Sequence, residues 1–253
     1  MPKNGHFLAF DTSTDVMSIA LTDGSRVWQH SGPGGAQASS HLIPAILRLL
    51  EEADLALGDL RAIVFGRGPG SFSGLRTACA VAQGLAFGAN HGAGVPVLPV
   101  DTLLAVAEEA RFQSTTDVRL ITALLDARMD EMYVQRYALS SGALSAIGHC
   151  ELIRPEDLVA DSPSCLFAGN VFTAYASRLP ADLLTLTCLP TATALLRLAP
   201  GLAASGHCVP ADQALPLYVR DKVAFTTEER AAISLAKESA KQALPATDAK
   251  LVT

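Results

Sequence analysis

The first third of the chain alternates between short apolar runs and polar turns. Three apolar runs lie between residues that favour tight turns: 7–11, 16–21 and 26–30. This pattern predicts three consecutive antiparallel strands. From 39 to about 53 the apolar residues recur every three or four positions, which is the spacing of an amphipathic helix. Ser39 or Ser40 is expected to cap that helix.

The pattern then alternates between strands and helices. An apolar strand at 60–65 leads into the glycine-rich loop 66–74, and an Ala- and Gly-rich helix follows from Leu75. Later segments continue in this style, with strands at 95–100, 120–126, 132–139, 148–153 and 165–168, and helices at 102–111, 172–178, 193–198 and from about Thr227. The early order of elements is loosely repeated from about Leu120. We therefore expect an α/β protein of two related lobes with mixed sheets.

The composition narrows the class of protein. Lys plus Arg number 19 and Asp plus Glu 25, a net charge of −6 that disfavours a protein gripping nucleic acid alone through a broad basic surface. The five cysteines include no CxxC pair, which favours reduced thiols over disulfides or a zinc site. The N-terminus lacks a signal-peptide pattern, and the apolar stretch 77–89 is too short to span a bilayer. We expect a cytoplasmic protein without a membrane segment.

Two stretches carry residues suited to phosphate chemistry. In Asp11-Thr12-Ser13-Thr14, a carboxylate and hydroxyls could hold hydrated Mg²⁺ and a phosphate, or could simply close a turn. In the loop 66–74, glycines before a helix N-terminus could cradle an anion, or could let two segments pack closely. The loop lacks the ending of a Walker A sequence. The six histidines include no His-x-x-x-His pair, and no Gly-x-Ser-x-Gly elbow is present.

These stretches resemble one known family. Residues 8–14, together with Gly68-Pro69-Gly70-Ser71-Phe72-Ser73-Gly74-Leu75-Arg76, are similar to the bacterial TsaB family, also called YeaZ. Asp126-Ala127-Arg128, Gly169-Asn170 and Tyr218-Val219-Arg220 fall where that family has similar stretches. The resemblance covers residues 7 to about 224. The glycine-containing run is long and specific, whereas the other stretches are individually weak.

The resemblance implies an α/β, two-lobe actin-like fold (ASKHA, RNase H-like) with mixed five-stranded sheets flanked by helices. We expect an N-terminal lobe at 1–103 that carries partner-binding helices, a degenerate C-terminal lobe at 104–219, and a C-terminal helix and tail at 220–253 that packs back on the lobes. In such a fold, 126–131 would be the second phosphate turn. Arg128 and Met129 there predict a degraded site or a salt-bridged structural turn.

The resemblance also implies a role in making threonylcarbamoyladenosine beside the tRNA anticodon. In that system the paralogue TsaD is the metal-holding transferase, TsaB pairs with it, and the ATPase TsaE joins them. Where TsaD carries its His-x-x-x-His pair, this chain has Val-Asp-Thr-Leu-Leu-Ala-Val at 100–106. We expect a non-catalytic subunit that activates TsaD, without metal or cofactor. tRNA is then contacted only through the complex, and the chain alone forms a homodimer.

The expected partner surface lies on the helices at 39–53 and 75–88. Its residues are His41, Leu42, Ile46, Leu49, Leu50, Leu75, Ala78, Val81, Ala82 and Leu85. The alternative is that both helices only cover their own sheet. The phosphate-type loops are expected to be degenerate, at Asp11, Thr12, Ser13, Gly68, Gly70, Ser71, Gly74 and Arg76. The competing functions are a small actin-like ATPase or kinase acting by itself, and a peptidase.

Overall fold

The structure is a computed structural model that describes residues 5–160, 162 and 164–220. Its contacts divide the chain into two units, Met1–Val219 and Arg220–Thr253, and every described helix and strand belongs to the first. The helix expected near Thr227 lies outside the described residues, as does the tail after Arg220. Within the described part, no helix has both the length and the apolar character needed to cross a membrane. None of the five cysteines, all of which lie in the described ranges, forms a disulfide.

The first sheet begins with the predicted antiparallel meander. Its strands are β1 (His6–Asp11), β2 (Val16–Asp23), β3 (Val27–Pro33), β4 (Ala62–Gly68) and β5 (Val97–Asp101). They lie in the order β3-β2-β1-β4-β5, with β4 and β5 parallel to β1. β1 is buried on both faces, because parallel strands in the middle of a sheet are covered on each side.

Helices cover both faces of this sheet. On one face, the apolar stripes of α1 (Ala38–Glu52) and α2 (Phe72–Gly88) pack against Leu8 and Phe10 of β1. On the other face, α4 (Ala192–Ala204) packs against Phe7 and Ala9. Successive residues of β1 thus point to opposite cores, as the two-residue period of a strand requires. The lobe boundaries at 103 and 219 stay predictions. α4 follows the strands of the second sheet along the chain, but it packs on the first sheet.

The second sheet repeats the topology of the first. Its strands are β6 (Leu120–Arg128), β7 (Glu131–Ser140), β8 (Ala143–Ile153), β9 (Cys165–Gly169) and β10 (Leu184–Thr187). They lie in the order β10-β9-β6-β7-β8, with an antiparallel meander on one side and parallel strands on the other. α3 (Thr102–Gln113) packs on one face of this sheet. The prediction of two mixed five-stranded sheets flanked by helices, an actin-like fold, is confirmed.

Some local predictions are wrong. Residues 172–178 form turns rather than a helix, with Tyr175 N–H bonded to the Val171 carbonyl. α2 begins at Phe72, three residues before the predicted start. Ser39 and Ser40 do not cap α1, because both lie inside the helix, where their hydroxyls donate to carbonyls three residues back. The predicted strands do not include β10 or residues 143–147 of β8, which are edge strands whose side chains are mostly exposed.

Two buried glutamates tie α3 to α4. Arg197 donates to Glu108 at 2.8 Å and to Glu109 at 2.6 Å. Arg111 donates to Glu108 at 2.7 and 2.8 Å, and the Thr191 hydroxyl donates to Glu109 at 2.6 Å. Burial acts to raise the pKa of Glu109, but hydrogen bonds, including those from Thr191 and Arg197, outweigh it and lower that pKa. The cluster joins the helix on the second sheet to the helix on the first.

Arg197→Met is expected to lower the free energy of unfolding by about 3 kcal/mol, because Glu109 stays buried without its cation. Urea denaturation at neutral pH measures the loss. The control is Arg178→Met, which removes contacts to Glu156 and Asp130 that are open to solvent and should have a much smaller effect. Equal losses in the two variants would contradict a buried, structural role for the cluster.

Candidate functional site

Asp11 closes the turn that follows β1. It is the last residue of that strand and is fully buried. Its Oδ1 accepts hydrogen bonds from the Ser13 backbone N–H at 2.9 Å and from the Ser13 hydroxyl at 2.6 Å. No hydrogen bond to Oδ2 is formed by any described residue. Burial raises the pKa of Asp11 from 3.8 to about 6, although the bonds from Ser13 oppose the rise.

The glycine-rich loop packs backbone to backbone on this turn. A Cβ atom at Gly74 would lie 1.9 Å from the Thr12 carbonyl oxygen, and one at Gly70 would lie 2.5 Å from Ser13 Cβ. The Thr12 hydroxyl donates to the Gly74 carbonyl at 2.7 Å, and the Ser71 N–H donates to the Ser13 carbonyl at 2.7 Å. Turn and loop therefore meet through direct backbone contacts, and no side chain fits between them at Gly70 or Gly74.

Gly68 and Arg76, also expected in a phosphate-type loop, have other neighbours. Gly68 has a φ of +123°, and a Cβ atom there would lie 2.5 Å from the Leu217 carbonyl oxygen. The exposed Arg76 guanidinium lies 3.9 Å above the Phe72 ring, and its Nε donates to the Tyr218 hydroxyl at 3.2 Å. Both residues thus contact the segment that follows α4, rather than the turn after β1.

The equivalent turn of the second sheet is held by ion pairs. Asp126 Oδ1 accepts bonds from the Arg128 N–H and the Tyr175 hydroxyl, each at 2.8 Å. Arg128 Nη1 lies 3.3 Å from Asp126 Oδ2, and Nη2 donates to Asp15 Oδ2 at 2.7 Å. The Arg128 guanidinium therefore links the two turns across the sheets. The prediction of a salt-bridged structural turn is confirmed.

Most of the apolar residues expected at a partner surface lie in the chain's own core. The buried ones are Leu42, Ile46, Leu49, Leu50, Leu75, Ala78 and Ala82. His41 is exposed, with Nδ1 3.0 Å from the Gln37 carbonyl, and Val81 and Leu85 are half-buried. For the seven buried residues the expectation is corrected: they hold α1 and α2 on the sheet. An apolar stripe has the same spacing whether it packs on its own sheet or on a partner.

The outward sides of α1 and α2 carry a different set of apolar and small residues. Ile43 and Leu47 are exposed on successive turns of α1, and Phe87 is exposed near the end of α2. Ala80 and Gly84 are exposed one turn apart on α2. We call these five residues the α1–α2 outer face. A signal for them is present in the sequence: Ile43 and Leu47 are apolar, but they do not fall on the buried stripe of α1, whose residues recur every three or four positions.

The segment 100–106, which stands where the transferase family carries its His-x-x-x-His pair, lies largely in the apolar core. Residues 100–106 form the end of β5 and the first turns of α3, and Thr102, Leu103, Ala105 and Val106 are buried there. In the described ranges, no group of three or more His, Cys, Asp or Glu side chains is placed to hold a metal ion.

The chain matches the family model of the TsaD transferase and relatives named TsaB or YeaZ. The family model of TsaD, tRNA N6-adenosine threonylcarbamoyltransferase, matches residues 32–251. The tRNA threonylcarbamoyladenosine biosynthesis protein TsaB of Escherichia coli (strain K12) is 30% identical over 227 residues, covering 86% of this chain and 96% of that protein. The TsaB of Haemophilus influenzae is 31% identical over 234 residues, covering 88% and 97%.

A solved structure has the same fold. YeaZ from Pseudomonas aeruginosa superposes with a TM-score of 0.76 at 36% identity, covering 85% of this chain and 100% of that one.

The close packing of loop and turn predicts opposite effects for two glycines of α2. Gly74→Ala places a Cβ atom against the Thr12 carbonyl and should destabilise the fold by about 2 kcal/mol or more. Gly84→Ala is the matched control, because nothing lies within 4 Å of the added atom, and it should stabilise the helix by about 0.5–1 kcal/mol. Thermal unfolding of the two variants measures both. A loss at both positions would contradict the packing described.

Asp11→Asn is expected to change how stability depends on pH. Because the folded pKa of about 6 lies above the ordinary 3.8, the folded chain binds the proton more tightly, and its stability falls as pH rises from about 4 to 6. The variant lacks this loss. The free energy of unfolding of the variant minus that of the wild type should therefore rise by about 2 kcal/mol between pH 4.5 and 7.5. Urea denaturation at both pH values tests this. Parallel pH profiles would show that Asp11 is ionised without penalty.

Proposed function

Because the chain belongs to the TsaB (YeaZ) family, we propose that it takes part in the biosynthesis of threonylcarbamoyladenosine in tRNA as the partner subunit of the TsaD transferase. In this role it binds and activates TsaD, in an assembly that TsaE joins, and it transfers no group by itself. The tRNA is bound through the assembly. The observation that carries the proposal is the α1–α2 outer face.

The outer face has the composition of a helix-packing surface. Leu47 is 51% exposed and Ile43 41% exposed, and covering the exposed part of each side chain would contribute about 1 kcal/mol. Ala80 and Gly84 leave room for the backbone of a partner helix to approach closely. The same two helices are held rigidly by their buried stripe, so the outer face is preorganised and little ordering opposes binding.

The two phosphate-type turns support the non-catalytic part of the proposal. The turn after β1 is closed by its own Asp11 and packed against the glycine loop. Arg128 joins Asp126 to Asp15 between the turns, where the competing ATPase or kinase would hold its nucleotide. The unpartnered Oδ2 of Asp11 is the feature that such an enzyme would use. A peptidase has less support, since the Ser71 hydroxyl is hydrogen-bonded to Ser73, 3.4 Å away, rather than to a histidine.

Leu47→Glu is expected to weaken binding to TsaD at least tenfold, because it places a charge in the outer face without touching the core. Isothermal titration calorimetry with purified TsaD measures the affinity, and reconstituted tRNA modification should fall in parallel. Light scattering of the chain alone tests the proposed homodimer, which should dissociate in the same variant.

Two controls make the result specific. Val159→Glu introduces the same charge at a position of similar exposure, 59%, away from α1 and α2, and should leave TsaD binding unchanged. Ile46→Glu should unfold the chain, because that side chain is fully buried. If folded Leu47→Glu binds TsaD as tightly as the wild type, the outer face is not the partner surface.

A further inference from the structure

We propose that Phe72, Arg76 and Tyr218 form a contact site for an unpaired base and its phosphate in RNA. The inference rests on the proposed function for the source of that RNA, a tRNA bound to the complex. It assigns to this chain a direct contact with the nucleic acid, in addition to its contact with the transferase.

The three side chains form one exposed cluster. Phe72 is 39% and Tyr218 43% exposed, and their ring centroids lie 5.3 Å apart with a tilt of 34°. The Arg76 guanidinium carbon lies 3.9 Å from the centroid of the Phe72 ring, and Nε donates to the Tyr218 hydroxyl. A planar cation stacked on exposed aromatic rings is the surface on which unpaired bases stack.

Arg76 is also a cation without an acidic partner. Other arginines in the described ranges form ion pairs with carboxylates, among them Arg67, Arg111, Arg128, Arg178 and Arg197. Within the described ranges, Arg76 has no carboxylate at ion-pair distance, and its guanidinium lies against Phe72 and Tyr218. No described carboxylate neutralises its charge, and a phosphate beside the stacked base would do so.

The cluster is held in place from both sides. Phe72 and Arg76 lie on the first turns of α2, and Tyr218 follows a segment that is fixed to that helix and its loop. The Leu217 N–H donates to the Arg67 carbonyl at 2.7 Å, and Cys79 and Gln83 of α2 both donate to the Ala214 carbonyl at 2.9 Å. Such anchoring reduces the entropy that a ligand must remove on binding.

The charge of the chain favours a short single-stranded segment over a duplex. A net charge of −6 repels an extended polyanion, so binding must depend on stacking and one local charge rather than on a basic groove. The cluster also lies on the same helix as Ala80 and Gly84 of the outer face. A partner bound to the outer face would therefore lie beside the cluster.

The first test uses the full chain alone with an anticodon stem-loop RNA that has an adenosine beside the anticodon. Ultraviolet crosslinking followed by mass spectrometry should map crosslinks to the peptides that contain Phe72 or Tyr218. Arg76→Ala should reduce their yield at least fivefold. Crosslinks that map only to other peptides, or no crosslinks, would overturn the proposal.

The second test uses the chain in complex with TsaD and unmodified tRNA across a salt series. Arg76→Ala should lower tRNA affinity about tenfold and reduce the slope of log affinity against log salt by about one. Arg76→Lys keeps the charge but loses the planar group, so it should lose affinity with the slope unchanged. The control is Arg178→Ala, which removes an arginine that pairs with Glu156 and Asp130 outside the cluster and should bind tRNA as the wild type does. Wild-type affinity and slope in Arg76→Ala would overturn the proposal.

Binding of each variant to TsaD without RNA separates the two proposals. Unchanged TsaD affinity together with weaker tRNA binding supports the RNA contact. Weaker TsaD binding would mean that the cluster contacts protein, which overturns the RNA contact but leaves the proposed function standing. If the wild-type chain does not bind TsaD, the proposed function falls, and the crosslinks of the chain alone decide the inference. Circular dichroism checks folding, and Arg76→Lys replaces Arg76→Ala if the latter unfolds.

Discussion

The contact on which the rest of the site depends is the packing of the turn after β1 on the glycine loop before α2. The Thr12 hydroxyl donates a hydrogen bond to that segment, and the Ser13 carbonyl accepts one from it. Gly70 and Gly74 lie so close to the turn that no side chain fits between them and the turn. This contact determines where α2 begins and how it is rotated. The position of the outer face and of the Phe72–Arg76–Tyr218 cluster follows from it.

Polar groups that could have served phosphate chemistry are engaged within the chain. Asp11 holds Ser13, and Arg128 spans Asp126 and Asp15 on the two turns. Each of these bonds is formed between groups of the chain itself, without any ligand. A protein whose polar turns are closed in this way is suited to present a rigid surface, and the helices on that side of the first sheet provide one.

The helices α1 and α2 each have one face buried against the first sheet and one face exposed. The buried stripe of α1, including Leu42 and Ile46, fixes the helix to the sheet, while Ile43 and Leu47 point away from it. α2 does the same with Ala78 and Ala82 inside and Ala80 and Gly84 outside. In the proposed function rigidity and binding are coupled, since the core that holds the helices also fixes the spacing of the exposed residues.

The sequence by itself determined most of the strands and helices along the chain, because period-two and period-3.6 patterns are local properties. The run from Gly68 to Arg76 is also local, and it carried the family resemblance that implied two mixed five-stranded sheets. The sequence also identified the loop and the turn that meet. Only the tertiary structure decided which apolar residues of α1 and α2 face the core, that the loop packs on Ser13, and that Arg76 stacks on Phe72 beside Tyr218. The physical reason is that burial and close approach depend on residues far apart in the chain: Arg76 and Tyr218 are 142 positions apart, and no local pattern records which distant segment will cover a given face.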